Sequence, residues 1–290
     1  MLAAAFFFST MAVGIKFASA DFSTAEIVLS RGIVSVIFIA MVMRSRGVSM
    51  ATPVPMMHFW RNVAGVLAMT CWFYAIAHLP LATAMTLNYM SGVWVAAFVI
   101  GGALLYGKPT RQGALITAVL ASFAGVVLML RPTLEQNQLF AGLIGLLSGL
   151  ASAMAVMQVT ALSKAGEPET RTVFYFSVGI LLTGLTGVGL TGFTPLHSAH
   201  WQSIAWLIPI GVLASIGQWC MTRALSRGAA LLVVNLQYVG IVFGSLYGLL
   251  LFGDRIELTS WAGILLIVAS GIAATVLRMR VLPDTSVEDH

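Results

Sequence analysis

Apolar residues run through this chain in long stretches, and polar residues interrupt them at wide intervals. A helix that crosses the hydrocarbon core takes about 20 apolar residues. Ten stretches fit that measure, at 2–19, 25–43, 61–77, 83–105, 111–130, 139–162, 171–192, 203–223, 229–252 and 260–278. The pattern predicts an all-α polytopic membrane protein with ten transmembrane helices. Barrel strands are excluded, because they alternate over about 10 residues and these runs are longer and uniformly apolar. Ten helices use about 200 residues of the 290, so no extramembrane domain fits in the loops and tails. The first run starts beside Met1 with no basic stretch before it and carries Lys16 near its far end. It is expected to be a permanent helix rather than a cleaved signal.

Composition excludes a soluble fold. Apolar residues make up 59% and charged residues 9%, against about 45–50% and about 25% in soluble domains. Mean hydropathy is +0.95. The net charge of +5 does not indicate nucleic acid, because the basic residues fall one to three at a time between apolar runs. With both termini on one side, that side holds eleven Lys and Arg: Arg44, Arg46, Arg61, Lys108, Arg111, Lys164, Arg171, Arg223, Arg227, Arg278 and Arg280. The other side holds two, Arg131 and Arg255. This bias places both termini in the cytoplasm. Cys71 and Cys220 lie inside apolar runs, which argues against a disulfide framework or a metal site. No cofactor is expected.

The two halves resemble each other. At an offset of 147 residues, Trp72 falls on Trp219, Ala77 on Ala224, Ala82 on Ala229 and Asn88 on Asn235. One residue of slack then places Gly107 on Gly253 and Gly125 on Gly271. Each half, 1–132 and 133–290, holds five predicted spans. Five is odd, so the second half enters the membrane inverted. Inverted repeats are characteristic of secondary transporters, with the substrate site near the midplane between the halves. A small-molecule substrate and the lipid bilayer are the expected partners; a homodimer and a coupling ion stay open.

The stretches "VGIKFASA", "AEIVLSRGI", "FYAIAHLPLATAMTL" and "GQWCMTRALSRGAALLVVNLQY", and the glycine-bearing ends of spans five and ten, carry a resemblance. In that order, and duplicated, they resemble the drug/metabolite transporter superfamily in its ten-helix EamA branch, over nearly the whole length. The resemblance implies a central cavity, alternating access, and substrates such as amino acids, nucleosides, vitamins, opine-like metallophores or drugs. It favours an exporter of an amino-acid-like molecule in a bacterial inner membrane, with import of a nucleoside-derived or vitamin-type solute as the alternative. Where relatives carry proline in spans four and nine, this chain has Gly92 and Gly240. Where relatives have Gly-Glu, it has Gly107-Lys108 and Gly253-Asp254.

Polar residues inside the spans are the candidate site. Asn88 and Ser91 share a face of span four, and the repeat maps them to Asn235 and Tyr238. These four either converge on the cavity or act as interhelical glue. Trp72 and Trp219 are mirror mates, with Tyr74 and Gln218 nearby in sequence; aromatic walls and amides suit a ligand pocket, and ordinary packing is the other reading. The expected substrate-binding set is therefore Trp72, Asn88, Ser91, Gln218, Trp219, Asn235 and Tyr238. Gln158, Met154 and Met157 are weaker candidates. Lys16 and Arg31 are expected to snorkel, with Asp21 and Glu26 as counter-ions. His78 is expected at an interface. The small-residue stripes Gly240/Gly244/Gly248 and Gly145/Gly149/Ala153 are assigned to helix packing. No carboxylate falls mid-span, which leaves coupling undecided. An enzyme is disfavoured: G-x-S-x-G and H-E-x-x-H motifs are absent from the sequence. The inverted repeat also favours a carrier over a channel.

Overall fold

The structure, a computed structural model, describes residues 1–105, 113–135, 138–194, 200–227, 233, 236–254 and 257–281. Its elements are helical throughout the described residues. In chain order they are α1 (Leu2–Ala18), α2 (Thr24–Ser45), α3 (Pro55–His78), α4 (Leu81–Tyr89), α5 (Ser91–Leu105) and α6 (Gly113–Glu135). Then follow α7 (Leu139–Lys164), α8 (Glu169–Thr191) and α9 (Trp201–Arg227), a 3₁₀ turn (Leu236–Tyr238), α10 (Val239–Phe252) and α11 (Leu258–Val281). Four of these, α2, α7, α8 and α9, are long and apolar enough to cross a membrane, and shorter apolar helices accompany them.

Local sequence explains the helix boundaries. Ser23 and Glu26 form a capping box at the start of α2, which satisfies two otherwise orphaned N–H groups. Pro55 opens α3, where its missing N–H costs nothing. Gly253 ends α10 at φ +61°, a left-handed conformation that glycine adopts without strain.

The surface is apolar where a soluble protein's would be polar. Ile37, Leu120, Val127, Leu182, Leu249 and Leu265 all stand exposed. Lipid tails solvate such a shell, and α-helices leave no backbone group unpaired within it. The interior packs large apolar side chains such as Phe73, Met85 and Leu87 together with buried polar ones such as Ser9, Thr86 and Asn88.

α4 is the central pillar, with all nine residues buried. It packs on α7 and α10. A Cβ on Gly149 of α7 would strike the carbonyl oxygen of Leu87, and one on Gly240 of α10 would lie 2.6 Å from the Tyr89 ring. Gly149 is thus a point of close backbone approach, while Gly145, Gly240 and Gly244 make room for the side chains of Leu87, Tyr89 and Met85. The broadest contacts pair α1 with α9, α2 with α8, α3 with α7 and α6 with α11.

The span expected at 83–105 is divided. α4 stops at Tyr89 and α5 starts at Ser91, one residue before Gly92. In the span expected at 229–252, a 3₁₀ turn ends at Tyr238 and α10 begins at Val239.

Candidate functional site

A void with apolar and polar walls lies among the helices, lined by residues of α1, α2, α3, α4, α5, α7, α8, α9 and the 3₁₀ turn. Its open volume is about 80 Å³, well below the roughly 300–1,000 Å³ of small-ligand pockets. Helices must part before a metabolite enters.

Four of the expected residues line it: Trp72, Asn88, Ser91 and Gln218. Asn88 is 8% exposed. Its Nδ2 donates to Ser148 Oγ at 3.2 Å and Ser152 Oγ at 3.0 Å, both on α7. The two readings of Asn88 therefore hold together, since it ties α4 to α7 and faces the void. Trp72 packs edge-on against Phe8 at 6.2 Å and tilted against Tyr89 at 6.4 Å. Its indole N–H and the Gln218 amide nitrogen have no hydrogen-bond partner among the described residues.

Two of the others stand elsewhere. Trp219 is not part of the wall; it packs beside Ile39 and Met43, with the Arg46 guanidinium 4.4 Å from its ring centroid. Tyr238 is buried in the main core, and its neighbour Gln237 takes the wall position. The 3₁₀ turn explains that exchange, because it rotates the side chains away from α-helical register. Asn235, with Gly107, Lys108 and Arg255, lies outside the described residues.

Two arginines complete the wall, Arg31 from α2 and Arg61 from α3. Each is 3% exposed. Arg31 was expected to snorkel beside Asp21 and Glu26, but both acids are engaged elsewhere. Asp21 accepts from Ser203 and His200, and Glu26 from Ser23 and Thr194. Arg61 was expected at the cytoplasmic edge. α3 starts at Pro55 rather than 61, which carries Arg61 nearly two turns inside. Proline followed by Met56, Met57, Phe59 and Trp60 was the sequence signal for that earlier start.

Phe176 of α8 gathers both cations. The guanidinium carbon of Arg61 lies 4.0 Å from its ring centroid and that of Arg31 lies 5.8 Å away. Arg31 also sits over Phe73 at 5.4 Å. A Cβ on Gly65 would overlap Arg61 Nη1, so glycine one turn on lets the guanidinium fold along its own helix. Among the described residues, the void wall contains no carboxylate. Placing one arginine at mid-helix in a bilayer costs about 2.5–3.5 kcal/mol on insertion scales, so an unpaired pair needs a reason.

Ties close both ends of the molecule. Past the end of α3, Lys16 Nζ meets Asp254 Oδ2 at 2.9 Å, and the same oxygen accepts the Leu81 N–H at 2.9 Å. Lys16 is thus paired with Asp254. At the opposite end, Glu167 accepts from Thr52 at 2.8 Å, from Arg171 at 3.2 Å, and bonds His58 at 3.3 Å. Burial opposes ionisation of Glu167, but hydrogen bonds from Thr52 and His58 and the charge of Arg171 outweigh it and hold the carboxyl below its ordinary value. His78 is exposed and stacks on Tyr74 at 4.1 Å.

A lipid-facing helical shell around such a void is the build of a multi-pass membrane transporter. The comparisons agree. The pseudopaline exporter CntI of Pseudomonas aeruginosa is 33% identical over 270 residues, covering 93% of this chain and 92% of that protein. The chain belongs to the transporter family of that exporter. An uncharacterized transporter of Helicobacter pylori is 30% identical over 216 residues, 73% of this chain and 71% of its own length. A riboflavin transporter of Rhizobium johnstonii is 26% identical over 227 residues, 77% of this chain and 71% of its own. A solved crystal structure shares the fold, with a TM-score of 0.66 over 96% of each chain at 19% identity. No protein-family model matches the chain.

Proposed function

We propose that the protein is a ten-span secondary transporter of the drug/metabolite superfamily, EamA branch, set in a bacterial inner membrane with both termini in the cytoplasm. It exports a small organic molecule by alternating access. The observation that carries this reading is the void between the helices, with polar side chains in its wall. Trp72, Asn88 and Ser91 of the first half and Gln218 of the second wall it together, beside the break between α4 and α5. A substrate site near the midplane, between two halves, is a recurring transporter device.

Helix packing supports two related units, 1–132 and 133–290, and the odd number of spans in each is what inverts the second. Exchanging the halves turns the α1–α9 contact into the α7–α3 contact and leaves α2–α8 and α6–α11 unchanged. The ties at the two ends join residues of different halves, Lys16 to Asp254 and His58 to Glu167. In this reading they are the gates, released alternately. Similarity to a named exporter over 93% of the chain favours outward transport.

Comparing metabolites in spent medium and cytosol, with and without the gene, identifies the cargo. That cargo, loaded into proteoliposomes, is expected to leave at a saturable rate stimulated by solute on the other side. Flux that stays linear in concentration would instead mark a channel.

A further inference from the structure

The geometry points to a binding site for a small organic anion with two carboxylates, held by Arg31 and Arg61 where both guanidinium groups approach Phe176; this rests on the transporter reading and names its substrate class. Arg31 Nε and Arg61 Nε and Nη1 are buried donors with no hydrogen-bond partner. Both side chains are over nine-tenths buried and line the void. A cation so placed is usually paired, and here the protein supplies only aromatic faces. The missing counter-charge is then brought by the cargo.

Arginine presents a planar fork of donors that matches a carboxylate with two parallel hydrogen bonds. The two forks come from different helices, and a single ring spans them, so one small molecule reaches both. A phosphate site usually gathers several donors, often at a helix N-terminus, around one centre. Here the other buried polar groups without a partner are scattered singly, the Trp72 indole N–H, the Tyr89 hydroxyl and the Gln218 and Gln237 amide nitrogens. They suit polar atoms along an extended organic anion. The rings of Phe8, Trp72 and Tyr89 suit its apolar portion.

The test uses the full chain in lipid nanodiscs with three probes: N-(carboxymethyl)phenylalanine, its neutral diamide, and phenyl phosphate. The dicarboxylate is expected to bind saturably and raise the melting temperature, with the diamide at least tenfold weaker. Arg31→Met and Arg61→Met should each weaken the dicarboxylate tenfold or more. Without probe they should melt at or above the wild type, because an unpaired buried charge has been removed. Arg61→Lys, which keeps the charge but loses the fork, should retain part of the binding. No binding of the dicarboxylate, equal binding of the diamide, tighter binding of phenyl phosphate, or lower melting of both Met variants overturns the assignment. The transporter reading fails separately: saturable flux that ignores the dicarboxylate removes only the anion site, whereas absence of any saturable flux removes the carrier.

Discussion

Among single residues, Gly65 shows how a backbone position controls a charge. Its missing side chain is the space that Arg61 occupies. Gly65→Ala places a methyl group against Nη1 and 2.8 Å from the Phe176 ring. Saturable flux should fall at least severalfold, with little loss of folded protein, because a flexible guanidinium can move aside. Measuring flux per molecule extracted from the membrane checks this. Asn88→Leu keeps approximate size but removes the donor to Ser148 and Ser152. Leaving those hydroxyls without their partner costs about 1–3 kcal/mol if they stay buried. Both flux and abundance should therefore drop, and the outcome to watch is flux per folded molecule. A severalfold fall there supports a role at the void, and an unchanged value reduces Asn88 to interhelical glue.

Whole helices are held by their ends. Glu167, between α7 and α8, ties Thr52, His58 and Arg171. Its folded value lies below the ordinary 4.5. Ionised Glu167 therefore stabilises the fold at pH above 4.5, and that contribution is lost as pH falls through the lowered value. Thermal unfolding in nanodiscs should show the loss on acidification below about pH 4.5. Glu167→Gln should melt lower at neutral pH and show a flatter acid limb. An identical acid limb in the variant would assign that pH dependence to other groups. The division of α4 from α5 is an element-scale result as well. The division falls at Met90, two residues before Gly92, and hydrogen bonds from Met90 N–H to Thr86 and from Trp94 N–H to Met90 carry the helical ladder across it.

The arrangement of the molecule as a whole is tested by topology. Reporter fusions after residues 47 and 285 should both report cytoplasm, following the excess of Lys and Arg on that side. A periplasmic signal from either would overturn the ten-span arrangement and, with it, the inverted halves. Packing across the halves, α1 on α9 and α3 on α7, means that neither half encloses the void alone. Expressing 1–132 without its partner is expected to yield no saturable flux.

Sequence by itself determined the class of environment and the helical architecture, because lipid rewards long apolar runs and forbids unpaired backbone. It also nominated Trp72, Asn88, Ser91 and Gln218, since polar side chains in apolar helices need a buried partner or cavity. Tertiary structure alone decided the electrostatics. Lys16 and Arg31 look alike along the chain, each basic within an apolar run, yet Lys16 finds Asp254 at a distance of 238 residues and Arg31 finds none. Arg61 was hidden by a helix start set by Pro55. Trp219, which the 147-residue offset pairs with Trp72, packs under Arg46, because similar local sequence does not fix the neighbours a side chain meets. Which charges are paired depends on helices meeting in space, and local sequence carries no record of that distance.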